Sequence, residues 1–190
     1  MKVIGISGSP REDGNTAMAI RLALDEIERA GIETEFISLA GLEVKPCTAC
    51  MGCKGKPGCT IKDDFGPLFG KILEAKGVIV GSPVYFGSAT PETMALLDRA
   101  GYVSRNNGNL LRRKVGGPIV VARRAGQNFT YAQLALWYTI NEMIVVGSIY
   151  WNIGFGRNKG EIMDDGEGVE TMQRFGQNVA WVLKEIYTGE

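Results

Sequence analysis

Residues 2–16 read KVIGISGSPREDGNT. Lys2 to Ser7 is short, apolar and β-branched, the composition of a strand. The run that follows is polar and glycine-rich, and carries Ser7, Ser9, Pro10 and Arg11. Asn15 or Thr16 then caps a helix to about Ala30, with Met18, Leu22, Ile27 and Ala30 near helical spacing and Gly31 as its stop. A strand that passes into a helix through small hydroxyl residues starts a β-α unit. It also leaves free backbone N–H groups, hydroxyls and the positive end of a helix dipole facing one point. That point reads either as a phosphate site, to which Arg11 adds charge-assisted bonds, or as a capped turn. It is neither a G-x4-G-K-[ST] loop nor a G-x-G-x-x-G loop.

The same unit recurs along the chain. Glu33 to Leu39 alternates charged and apolar residues and reads as a more exposed second strand. Asp63 or Asp64 opens a helix to about Ala75. Gly77 to Gly81 is a third strand, apolar throughout as if covered on both faces. A helix from about Pro91 to Val103 has proline in its first turn. Val115 to Ala122 is the fourth strand, Phe129 to Val146 a helix, and Ser148 to Asn152 the fifth strand. A glycine-rich stretch, Ile153 to Gly168, precedes a last helix to about Tyr187. Five β-α alternations predict a parallel sheet with helices on both faces, an α/β three-layer sandwich. No repeat or linker divides the 190 residues, so one domain over 1–190 is expected, with a cysteine-rich loop at 45–62.

Composition narrows the function. The formal net charge is zero, which gives no basic field for nucleic acid. No apolar run approaches the roughly 20 residues that span a bilayer, and MKVIGISGSP lacks the features of a signal peptide. A cytoplasmic location is expected, where structural disulfides are rare. There is no histidine. That removes Ser-His and Cys-His nucleophiles and every His-containing metal site.

Two further loops follow strands. Ser82-Pro83-Val84-Tyr85-Phe86-Gly87-Ser88 lies at the C-terminal end of the third strand, where open α/β sheets bind ligands. Its adjacent aromatics either pack on a planar ring, with Ser82, Ser88 and backbone groups as polar contacts, or bury in a core or subunit contact. Arg123 to Asn128 reads either as the opposite wall of that crevice, where Arg124 or a loop N–H such as that of Gly126 would stabilise a reduced ring, or as a solvated loop. Asp98 and Arg99 read as a structural pair along their helix or at a subunit contact.

Cys47, Cys50, Cys53 and Cys59 fall in CTACMGCKGKPGC and are the only cysteines. Zinc usually takes two pairs separated by a dozen or more residues. C-x2-C-x2-C with a fourth cysteine nearby is similar to ferredoxin runs and points to a [4Fe–4S] cluster, with zinc and uncoordinated thiols as the alternatives. Lys45, Lys54, Lys56 and Lys62 surround the loop and favour thiolates. They also offer a charged surface to an acidic electron carrier.

With these residues quoted, the chain resembles the flavodoxin-like NAD(P)H-dependent FMN reductases and, among them, the iron–sulfur flavoproteins. GISGSPREDGNT looks like their FMN-phosphate loop, GSPVYFGSATPETMALLDR like their ring-binding loop and following helix, and CTACMGCKGKPGC like the motif of the iron–sulfur branch. The resemblance implies a flavodoxin-like fold with strand order 2-1-3-4-5, one FMN and one [4Fe–4S] cluster per subunit, and a homodimer or homotetramer. Ser9, Arg11, Asn15 and Thr16 would hold the phosphate, Pro83, Val84, Tyr85, Phe86 and Gly87 would border the ribityl chain and ring, and the four cysteines would ligate the cluster. The expected activity is electron transfer between FMN and an external carrier such as ferredoxin or NAD(P)H, through the cluster. The alternatives are an NAD(P)H-dependent FMN or quinone reductase without a cluster, and a redox-sensing module.

Overall fold

The computed structural model describes residues 1–187. In chain order it forms β1 (Lys2–Ser7), α1 (Asn15–Arg29), β2 (Glu33–Ser38), α2 (Phe65–Glu74), β3 (Gly77–Pro83), α3 (Pro91–Arg105), β4 (Val115–Ala122), α4 (Gln127–Ile140), β5 (Ile144–Val145), β6 (Ile153–Phe155) and α5 (Gly166–Tyr187). The sheet runs β2-β1-β3-β4-β5, with β6 also on β4, and every pairing is parallel. The predicted architecture and strand order are borne out. No helix among the described residues is long and apolar enough to cross a membrane.

Side-chain alternation divides the core between the two faces. Ile4, Ile6, Val78, Val80 and Val120 pack beneath α2, α3 and α4, around Phe65, Leu96, Leu97 and Tyr138. Val3, Ile79, Ile119 and Val121 pack against α1 and α5, around Ile20, Ile27, Phe175 and Leu183. Both faces being covered is why β3 and β4 read as unbroken apolar runs.

Tyr138 of α4 is fully buried, with its hydroxyl between β3 and β4. The hydroxyl accepts the Val80 N–H (2.9 Å) and lies 3.1 Å and 3.0 Å from the carbonyl oxygens of Val78 and Gly117. Tyr138→Phe leaves these groups without that partner, a loss of about 1–3 kcal/mol. At this chain length each kcal/mol lowers the melting point by about 2–4 °C. A melt followed by circular dichroism should therefore shift down by several degrees with the folded spectrum unchanged. An unshifted melt would show the bridge to be dispensable.

The edge beyond β4 differs from the expectation. Ser148–Asn152 is not a strand; the pairing is split between β5 before it and β6 after it. Pro118 explains the gap. Its carbonyl faces that edge and accepts Asn152 Nδ2 (3.0 Å), and the next edge-facing N–H, from Val120, goes to the Asn152 carbonyl (2.9 Å). Proline has no N–H to give a partner strand at this point, so the chain bulges outward and Asn152 fills the ladder with its side chain. Helix α4 also stops at Ile140 rather than Val146. Glu142 takes a positive φ of 55°, and the apolar run after it serves the sheet edge.

Candidate functional site

The C-terminal ends of β1, β3 and β4 open on a crevice of about 240 Å³, close to the lower end of the range for a small-molecule site. Its first wall is the turn from β1 to α1. Gly14 is the N-cap of α1, and no side chain caps the helix. The first N–H groups of α1 therefore have no side-chain partner. Ser9, Pro10, Arg11, Asn15 and Thr16 line this wall. The Ser9 hydroxyl accepts the Arg11 N–H (3.1 Å), and Ser7, buried behind it, receives the Ser9 N–H (3.4 Å). Thr90, the N-cap of α3, donates to the Gly8 carbonyl (2.7 Å) and fixes the turn from the side.

Pro83, Val84 and Tyr85 form the second wall. Tyr85 and Ser88 exchange backbone bonds (2.9 and 3.0 Å) across a tight turn whose central residues, Phe86 and Gly87, both have positive φ. Two positive φ values are the mark of a type I′ turn. Phe86 holds that conformation although it has a side chain, and its ring is fully exposed at the tip. Gln133 of α4 anchors the turn, its Oε1 accepting from Ser88 Oγ (3.0 Å) and the Ala89 N–H (2.9 Å).

Of the residues read from the sequence, Ser9, Pro10, Arg11, Asn15, Thr16, Pro83, Val84 and Tyr85 share the crevice. Ser7 and Ser82 lie buried behind it. The Ser82 hydroxyl is committed to the Pro83 carbonyl and the Thr90 N–H. Phe86 and Gly87 form the tip beside it. Arg124 is exposed outside the lining, and Gly126 packs against Val84 and Gly87. Arg123, not Arg124, stands on the third wall, with Val121, Gly156 and Arg157. The last two come from the glycine-rich stretch after β6, which carries no periodicity that could have singled them out.

The cysteine loop packs along α3, away from the crevice. Cys47, Cys50, Cys53 and Cys59 are free thiols and line one shallow recess of about 20 Å³, with Thr60, Arg99 and Tyr102. Three of the four sulfurs have a polar partner at hydrogen-bond distance. The Ala49 N–H faces Cys47 (3.4 Å), the Thr60 hydroxyl lies 3.5 Å from Cys50, and Asn106 Nδ2 faces Cys53 (3.4 Å), while Cys59 shares the recess with Arg99. The Thr60 hydroxyl, followed by the Gly52 N–H and Thr48, lowers the Cys50 thiol below its ordinary pKa. Such donors stabilise thiolates and tune any metal they hold.

Among the described residues no three thiol or carboxylate groups converge as they would on one metal ion. A mononuclear zinc site needs four ligands about 2.0–2.3 Å from a single point.

Arg99 holds the loop closed. Its side chain and that of Asp63 are both fully buried, joined by two bonds of 2.6 and 2.9 Å. The guanidinium also reaches the carbonyls of Lys45 (3.1 Å) and Ile61 (3.4 Å), at the two ends of the loop, and stacks over Phe65. Burial opposes charge on Asp63, but the bonds from Arg99 and from the N–H groups of Lys45 and Phe65 hold its carboxyl below the ordinary range. The pairing of Arg99 with its neighbour Asp98 is thus corrected: its partner lies 36 residues upstream.

Residues 1–158 match the model of the NADPH-dependent FMN reductase family. The chain is 45% identical to an iron–sulfur flavoprotein of Methanocaldococcus jannaschii, over 98% of this chain and 99% of that one. Among solved structures it is similar to a flavone reductase, with a TM-score of 0.74 at 22% identity, covering all of this chain and 65% of that longer one. An archaeal flavodoxin superposes with a TM-score of 0.65 at 15% identity, over 97% of this chain and 99% of that one.

Proposed function

The chain belongs to the family of NADPH-dependent FMN reductases, and is a flavoprotein oxidoreductase of the electron-transfer kind; on that premise we propose that it carries FMN in the crevice and a [4Fe–4S] cluster on Cys47, Cys50, Cys53 and Cys59, and passes electrons between the flavin and an external carrier. The observation that carries this reading is the recess itself, which gathers all four thiols and gives three of them separate polar partners. The name of the M. jannaschii relative supports it. Bound FMN would take or give one or two electrons, and a bound cluster would take or give one at a time.

The chain's own residues bind and orient. The bare start of α1 with Ser9, Thr16 and Arg11 holds the flavin phosphate, and Pro83, Val84 and Tyr85 border the ribityl chain and ring. Gln133 keeps that second wall in place. No side chain acts as nucleophile, in keeping with the absence of histidine. The crevice and the recess share no lining residue, which supports a homodimer or homotetramer that brings the recess of one subunit to the crevice of another. The lysines around the recess suit an acidic carrier such as ferredoxin.

The test is an anaerobic visible spectrum of purified protein, before and after NADPH, with iron and acid-labile sulfide assayed on the same sample. Flavin bands, a broad shoulder near ~400 nm and about four iron per chain are expected. Flavin bleached by NADPH without iron would leave the cluster-free reductase as the function.

A further inference from the structure

The sequence reading gave Asn15 to the phosphate, and in the fold its carboxamide also holds segment 156–160. Nδ2 donates to the Asn158 carbonyl (2.8 Å) and Oδ1 accepts the Gly160 N–H (2.8 Å). One side chain thereby pairs with segment 156–160 as a strand would. Gly156 lies so close that a Cβ there would stand 2.6 Å from Asn15 Nδ2. Lys159 pairs with Asp13, and Arg11 Nη1 reaches the Arg157 carbonyl (3.4 Å). Glu161 secures the turn, accepting the N–H groups of Arg157 (2.7 Å) and Asn158 (2.9 Å). Segment 156–160 is a strap latched across the start of α1, and Gly156 and Arg157 are its residues on the crevice wall.

Arg11, Arg123 and Arg157 all line this one crevice. The carboxylate in the strap's own turn, Glu161, accepts the N–H groups of Arg157 and Asn158 and attracts the Arg157 charge without forming a direct ion pair with it. A guanidinium is the side chain best matched to phosphate oxygens.

We infer that Arg157 is a ligand of the flavin's phosphoryl group and that Asn15 is a positioning residue acting through it. This rests on the reading that FMN occupies the crevice. The strap then adds one charge-assisted contact to the phosphate and none to the isoalloxazine ring, so it selects FMN over riboflavin.

The test is a fluorescence titration of flavin-depleted protein with FMN and, separately, with riboflavin. Arg157→Gln should weaken FMN about ten- to hundredfold, the range for a hydrogen bond to a charged group, and leave riboflavin unchanged. Asn15→Ala should reproduce the FMN loss, and the double variant should lose no more than either single one. Should Asn15→Ala fail to fold, Arg157→Gln decides alone, because its side chain is exposed. Equal loss for both flavins, or none for FMN, overturns the assignment. Wild-type protein that binds neither flavin, or both equally, removes the phosphate site itself and so the reading beneath.

Discussion

Protein with Cys47, Cys50, Cys53 and Cys59 all changed to serine will purify with flavin but without iron or acid-labile sulfide. Serine keeps the size of cysteine but does not supply the soft thiolate that iron–sulfur clusters require. The crevice shares no lining residue with the recess, so FMN content and bleaching by NADPH should stay near wild type. Exchange with a one-electron carrier should fall to background. The measurements are iron and sulfide per chain, the visible spectrum, and carrier reduction under anaerobic conditions. Carrier exchange at the wild-type rate in this variant would refute a role for the cysteines in electron transfer.

The second large effect belongs to Arg99. Arg99→Met strands the Asp63 carboxylate in a site where both side chains are fully buried. Removing one partner of a buried pair costs about 3–5 kcal/mol, which at about 2–4 °C per kcal/mol lowers the melting point by roughly 6–20 °C. The loop should also open. Lys54 and Lys62 are exposed on it, so trypsin should cut there faster than in the wild type while the rest of the chain resists. Arg99→Met with Asp63→Leu should recover much of the melting point, since an apolar pair of similar volume often replaces a buried ion pair, but not the protease resistance, because the bonds to the Lys45 and Ile61 carbonyls stay lost. A single variant that melts within the ~1 kcal/mol of a surface pair would contradict the clamp.

How far the sequence could be read follows from which interactions are local. β1, α1, β3, α3 and β4 were legible because strand composition, helical spacing and the turn residues between them agree. The first wall of the crevice was legible for the same reason, since Ser9 to Thr16 is one continuous stretch of chain. The fifth strand was not. Whether Ser148–Asn152 pairs depends on Pro118, which faces it from another strand. Asn15 was read as a crevice residue, but its bond to Asn158 was not legible, because that partner lies 143 residues away. Arg99 read as half of a local pair, since a sequence shows Asp98 beside it and not Asp63 across the loop. Arg157 lay in a stretch with no period, where only the latch reveals its direction.

The latch has a consequence for synthesis. Arg11 and Asn15 leave the ribosome more than 140 residues ahead of their partners, Arg157, Asn158 and Gly160, which lie 143 to 146 residues further on. α1 is likewise packed against α5, which follows the strap. A nascent chain that stops short of β6 has the glycine-rich turn but not the far side of the crevice. On the reading that FMN fills the crevice, flavin capture waits for the strap and α5, and by mass action then helps to hold them on α1.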